Sequence, residues 1–143
     1  MGQRQVWTFF YGSYLNLDVL KEVDYIPARY EPARLFGFDI TIRPLANLVP
    51  AEEGCVYGIV ATGTHAELER LYAHATQILG GTYLPEAVLV QTFGGQWLPA
   101  LCYIAPEITP GPADSAYIDR IVVAARKHGI PEGYLRRLEC FRS

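Results

Sequence analysis

The chain has 143 residues, half of them hydrophobic and 13% aromatic, which is enough apolar mass for one core and too much for a disordered segment. Its net charge is −3, from 12 basic and 15 acidic side chains; the basic residues are scattered apart from Arg136-Arg137, which excludes a phosphate-backbone binder and hence a nucleic-acid partner. No apolar run approaches the ~18 residues of a membrane-spanning helix, residues 1–5 lack a signal-peptide pattern, and Val6 stands where a myristoylation motif wants Ser or Thr. One cytoplasmic domain over residues 1–143, without membrane attachment, is expected.

The first strand is read at Trp7–Tyr11 and stops at Gly12-Ser13. A helix-compatible segment follows from Leu15, with a helix at Leu17–Val23. A strand, a tight Gly-Ser turn and a helix start can present backbone N–H groups to an anion such as a carboxylate or a developing oxyanion. Gly12 permits close approach because it has no Cβ. An ordinary strand-to-helix connection reads the same way.

Further strands are read at Ala33–Arg43 and Cys55–Ala61, with Glu52 and Glu53 in the Pro50–Gly54 loop between them. Thr64-His65-Ala66-Glu67 is a capping box: the Thr64 hydroxyl can accept from the Glu67 N–H while the Glu67 carboxylate reaches back. It opens a helix over Ala66–Ala75 whose apolar stripe is Leu68, Leu71 and Tyr72. Strands at Tyr83–Thr92 and Trp97–Ile104 flank Gly94-Gly95, a hairpin signal. Pro85 places the first of them at an edge or bulge, which leaves room for a homodimer. Residues 106–112 hold three prolines and a glycine and read as a connecting loop. A helix at Ala116–His128 stops at Gly129, and a last turn is read at Pro131–Leu138.

Strands dominate and the helices are irregularly placed, which argues against a doubly wound sheet. The expected class is α+β: a small mixed β-barrel or curved sheet with a few surrounding helices. Cys55, Cys102 and Cys140 are far apart and make no metal-ligand spacing, so neither zinc nor a disulfide framework is expected.

Several segments, in order, resemble one family. Tyr11-Gly12-Ser13-Tyr14-Leu15 resembles the Tyr-Gly-Ser-Asn-Leu signature of the gamma-glutamyl cyclotransferase-like family. Ala33 to Phe38 resembles its A-x-L-x-G-Y/F strand, and Ala46 to Pro50 with Val56 to Val60 resembles its A-N-I-x-P and V-x-G-V-V pair. Leu68-Glu69-Arg70-Leu71 resembles its short L-x-x-L-D helix, Gly81-Thr82-Tyr83 its G-x-Y, and Tyr117 to Tyr134 its C-terminal helix and turn.

The resemblance implies a small mixed barrel with a ligand cavity at one mouth. It implies intramolecular aminolysis, in which the free α-amine of a gamma-glutamyl compound attacks its own γ-carbonyl to give 5-oxoproline and a released amine. That reaction needs a general base, a curled substrate and oxyanion donors, and no metal or organic cofactor. The implied ligand is a small gamma-glutamyl or carboxylate compound. Tyr11, Gly12, Ser13, Tyr14 and Leu15 would line the substrate loop, and Tyr83 would lean on the substrate or serve as a core or rim residue.

Two positions depart from the pattern. Tyr14 stands where the commonest family form has Asn. The family's general base, a Glu after the short helix, has no counterpart: Leu71 to Tyr83 contains no carboxylate, and the matching position falls on Ala75 or Thr76. His74 beside the gap and Glu86 in the next strand are the candidate substitutes; Glu52 and Glu53 could overhang the cavity. Each also has a plain reading, His74 as a cation at a helix C-terminus and the acids as solvated side chains. Tyr117 and Tyr134 read as packing residues, His65 as exposed beside the capping box, and His128 as a helix-end cation. A Ser13–His74–acid triad lacks the Gly-x-Ser-x-Gly elbow. Three readings therefore stand: an enzyme with a displaced acid/base group, a module that binds a small ligand without turnover, and an interaction protein whose cavity Tyr14 fills.

Overall fold

The computed structural model describes residues 4–79 and 82–142. Five strands close into a barrel in the order β1-β3-β2-β4-β5: β1 Gln5–Phe10, β2 Tyr30–Ile42, β3 Ala46–Thr64, β4 Leu84–Thr92 and β5 Trp97–Ile104. All pairings are antiparallel except the one that closes the barrel, where β5 lies parallel to β1 through Thr8↔Leu101 and Phe9↔Cys102. Thr8, Phe9 and Phe10 are buried in succession because β1 has a strand on each side and other elements over its outer face. A continuous apolar run, rather than an alternating one, is what such a strand requires.

The β2–β3 hairpin extends well beyond the predicted strands. Its ladder runs from Tyr30↔Ala61 to Ile42↔Ala46 and shifts register between Phe36 and Phe38. There Phe38 faces Pro50 and Phe36 faces Cys55, so residues 51–54 bulge against Gly37. Gly37 takes a φ of 91°, and a Cβ on Gly54 would lie 2.2 Å from the Phe38 carbonyl oxygen; glycine is needed on both strands of this bulge. The predicted Pro50–Gly54 loop is thus an excursion within one strand, and Glu52 and Glu53 stand exposed on it.

Helix α1, Leu17–Glu22, begins after a single 3₁₀ turn at Ser13–Leu15 and is capped by Asn16, whose side chain accepts from the Asp18 N–H. Helix α2 spans His65–His74, and both halves of the capping box are formed: Glu67 N–H to Thr64 Oγ1 at 3.1 Å and Thr64 N–H to Glu67 Oε1 at 2.9 Å. It does not end where the sequence suggests but widens into a π-helical turn at Ala75–Leu79, a form that recurs at functional sites. Helix α3, Ser115–Lys127, buries Ile118, Ile121, Val122 and Ala125, and α4, Glu132–Glu139, buries Leu135 and Leu138. The hairpin at Gly94-Gly95 forms as read, with Gly95 at a φ of 94°.

The edge expected at Pro85 is present. β4 pairs with β5 along its whole length, yet meets β2 only through Gln91 and Thr92, so the end carrying Leu84 and Pro85 is paired on one side. Among the described residues no helix is long and apolar enough to cross a membrane.

Candidate functional site

A cavity lies where the loop after β1 meets the start of β3, the end of α2, the chain entering β4, the end of β5 and α3. The β1 loop supplies Tyr11, Gly12, Ser13 and Tyr14 to its wall, and Tyr72, Tyr83, Tyr103 and Tyr117 close it from the other elements. Phe10, Ala46 and Ala75 complete the lining. The space inside is about 30 Å³, room for one or two waters rather than for a whole amino acid. Gly12 is required by this packing, since a Cβ there would sit 2.9 Å from the Ala46 Cβ.

The tyrosine hydroxyls hold the wall together. Tyr11 donates to the Tyr103 carbonyl at 2.6 Å, Tyr14 to the Leu71 carbonyl at 2.8 Å and Tyr83 to the Ala46 carbonyl at 2.7 Å. The Ala46 N–H donates to the Tyr117 oxygen at 3.0 Å. The first residue of β3 is therefore clamped through both of its backbone polar groups. The Tyr72 and Tyr103 rings stack 3.8 Å apart and 10° from parallel, while Tyr14 meets Phe10 and Tyr72 edge-on.

Burial raises the pKa of each of these six tyrosines, because a phenolate is disfavoured away from water. For Tyr117 the rise is opposed by hydrogen bonds from the Ala46 backbone and from the Ser13 side chain and backbone. Burial, with a smaller contribution from Glu86, pushes the Cys102 thiol up to about 12. The cavity wall is thus neutral at ordinary pH.

The residues read from sequence divide as follows. Tyr11, Gly12, Ser13, Tyr14 and Tyr83 meet at the cavity. Leu15 does not: it is fully buried in the core, and its backbone is engaged, its N–H donating to the Gly12 carbonyl and its carbonyl lying 2.8 Å from His128 Nε2. His74 lines a separate depression with Glu22 and Arg120, and Ser13, Tyr14 and Tyr117 border both spaces. Glu86 is exposed and faces Cys102 across the β4–β5 ladder. Neither belongs to the cavity wall. Of the two positions open for the family's Glu, Ala75 is buried against the cavity and Thr76 is exposed. Among the described lining residues there is no carboxylate and no imidazole.

Tyr72, Tyr103 and Tyr117 were not legible as site residues. Tyr117 reads as a packing residue, and packing is half its role, but it also lines the cavity and accepts from Ala46. Tyr72 belongs to the apolar stripe of α2, and Tyr103 sits in a strand with nothing to distinguish it. A composition with ten tyrosines was the one available signal. Among the described residues no three His, Cys, Asp or Glu side chains gather as a metal site.

No protein-family model matches the sequence, and no curated protein matches it. Solved structures do match. A gamma-glutamyl cyclotransferase superposes with a TM-score of 0.83 at 21% identity, over 97% of this chain and 89% of its own. An uncharacterized protein from Homo sapiens gives 0.83 at 20% identity, over 98% and 89%. A gamma-glutamyl cyclotransferase specific to glutathione from yeast gives 0.63 at 14% identity, over 96% and 97%. The chain therefore has the gamma-glutamyl cyclotransferase-like fold, as the sequence resemblance implied.

Proposed function

We propose that this chain binds a small gamma-glutamyl or amino-acid-like ligand at the tyrosine-lined cavity and does not cyclise it at the rate a general base would provide. The observation that carries this reading is Ala75. A methyl group faces the cavity at one of the two positions, Ala75 and Thr76, where the sequence resemblance puts the base, and neutral tyrosines surround it. Losing a positioned general base typically costs about 10²–10⁴-fold in rate, and among the described residues no lining side chain is a carboxylate or an imidazole. The cavity must widen by movement of its tyrosine wall to admit more than one end of such a ligand.

The test pairs two measurements on the same compounds. Release of 5-oxoproline from a panel of gamma-glutamyl amino acids and amines is expected to stay near the uncatalysed level. Thermal stabilisation by those compounds is expected, because a ligand that binds only the folded state raises the melting temperature. Wild-type turnover lost on substitution in the Tyr11–Leu15 loop would reject the proposal.

One observation favours the cyclase reading as a second possibility. Glu86 pairs with Cys102 across the β4–β5 ladder, and Cys102, buried in the barrel, pairs in turn with Phe9 of β1. Glu86 lies three residues beyond the cavity residue Tyr83, and would serve as the base if the wall moved to bring its carboxylate to a substrate. If so, turnover is present in the wild type and Glu86→Gln abolishes it, whereas His74→Ala does so if the imidazole is the base.

A further inference from the structure

The β4–β5 hairpin breaks the pattern that a half-solvated antiparallel sheet follows. Its inward positions are apolar and buried: Val90, Leu98, Ala100 and Cys102. Its outward positions should then be polar. Across the ladder they pair as Ala87↔Leu101, Leu89↔Pro99 and Gln91↔Trp97, and of these Gln91 alone is polar. From Ala87 to Pro106 no side chain carries a charge. Leu89 is 54% exposed and Trp97 50%, and Phe36 of β2, 48% exposed, brings its ring to 6.1 Å from that of Trp97. Ala87 and Pro99 are exposed beside them.

The half-exposed rings of Trp97 and Phe36 leave on the order of 200 Å² of aromatic surface in water. Leu89, Pro99 and Ala87 roughly double it. A contiguous patch of about 400 Å² has the size that marks an interaction site. A standard interface takes about 800 Å² from each partner, a little over half of it apolar. The patch therefore supplies the apolar centre that one such interface needs.

The occupant follows from what the face lacks. Having no charge, it has nothing to steer or register a charged partner. A membrane surface is held by Lys and Arg around an apolar face. Here the bordering Arg34, opposite Gln91, is half-buried with its guanidinium 5.7 Å from the Phe93 ring, and the net charge of the chain is −3. A strand added at the edge of β4 would meet Pro85, which has no N–H, and the Glu86 carboxylate. A second copy of the same face meets none of these obstacles: about a two-fold axis, apolar surface lies against apolar surface and no like charges are opposed. We infer that the outer face of β4–β5, with Phe36 and Trp97 as its anchors, is a dimer interface of this chain. The dimer uses the face of the hairpin and not its edge at Pro85. None of these residues lines the cavity, so failure of this inference would leave the proposed function standing.

The test is sedimentation equilibrium of the full chain across the micromolar range, for the wild type and for Leu89→Lys. A concentration-dependent dimer is expected for the wild type. Leu89→Lys would bury two unpaired ammonium groups in each interface and is expected to raise the dimer Kd at least about 100-fold. Leu89 is half exposed, so the variant monomer is expected to keep its fold, which circular dichroism checks. Trp97→Gln is the second variant, expected to raise the Kd about 10-fold or more. In Trp7→Phe, Trp97 is the one remaining tryptophan, and its emission is expected to move to shorter wavelength as the dimer forms. A wild type that stays monomeric throughout would overturn the inference. A dimer unaffected by both variants, or formed with no change in Trp97 emission, would place the interface elsewhere and overturn it too. Flotation of the wild type with phosphatidylcholine vesicles, lost in Leu89→Lys, would overturn it in favour of a membrane surface.

Discussion

Replacing Ala75 with Glu puts the chemistry and the packing of the cavity to a single trial. The change adds a methylene and a carboxyl to a methyl that is 1% exposed and faces a space of about 30 Å³. The new group exceeds what that space holds, so the tyrosine wall must shift, at about 1–3 kcal/mol for overpacking. Among the described residues no cationic side chain lines the cavity, so burial would push the new carboxyl above the usual carboxylate range. The folded-state pKa then exceeds the unfolded value of about 4.3. A group shifted in this direction has its stability contribution fully present below the unfolded pKa, and loses it as pH rises through the folded pKa. Ala75→Glu is therefore expected to be destabilised by about 2–4 kcal/mol at neutral pH, and by less under mildly acidic conditions. Urea denaturation of variant and wild type at two pH values measures this. In the same variant, a carboxylate with a raised pKa is a competent base, and 5-oxoproline release from gamma-glutamyl compounds is expected to rise by about 10²-fold or more. Wild-type stability at both pH values would show that Ala75 does not face a dry cavity. Turnover in the wild type equal to that of a stably folded Ala75→Glu would refute the reasoning about the base.

Three other outcomes follow from the same wall and its supports. Tyr14→Phe removes the 2.8 Å bond to the Leu71 carbonyl, but that carbonyl still accepts from the Ala75 N–H. The loss is expected to be about 1 kcal/mol, or about 2–4 °C in the melting temperature by calorimetry; a loss several times larger would mean that the ring's position depends on the hydroxyl. Thr64→Ala deletes one half of the capping box and is expected to cost about 1 kcal/mol in urea denaturation, with ligand binding unchanged. At high pH the buried tyrosines control stability. Their pKa values are raised in the folded state, so above about pH 10 the unfolded chain sheds protons that the native chain retains. Stability should fall by about 1.4 kcal/mol per pH unit for each such tyrosine, and tyrosinate absorbance should appear together with loss of circular dichroism. Ionisation of these tyrosines while the fold persists would contradict their burial.

The local elements were legible in the sequence because their causes are local. The Thr64–Glu67 capping box involves four consecutive residues and starts α2 as read. The Gly94-Gly95 turn joins the strands that the apolar runs on either side predicted. The succession of short motifs from Tyr11 to Tyr134 was enough to identify the fold, which the superposition over 97% of the chain matches. It was also enough to place the gap in the family's pattern at Ala75 or Thr76.

What the tertiary structure alone decided is which side chains meet. A helix end can direct either of two successive residues inward, and the π-helical turn that starts at Ala75 is not encoded in any periodicity. Only the fold puts Ala75 on the cavity and Thr76 outside it. His74 is adjacent to Ala75 in sequence, yet it lines a separate depression that shares only Ser13, Tyr14 and Tyr117 with the cavity among the described residues. Tyr72, Tyr103 and Tyr117 come from α2, β5 and α3, separated in the chain by as many as 45 residues, and each alone reads as packing. Closure of the barrel brings them together, and the hydroxyl bonds of Tyr11, Tyr14 and Tyr83 then fix what remains available to a ligand. A sequence records which donors and acceptors a chain possesses; which of them are already spent on one another is a property of the folded contacts.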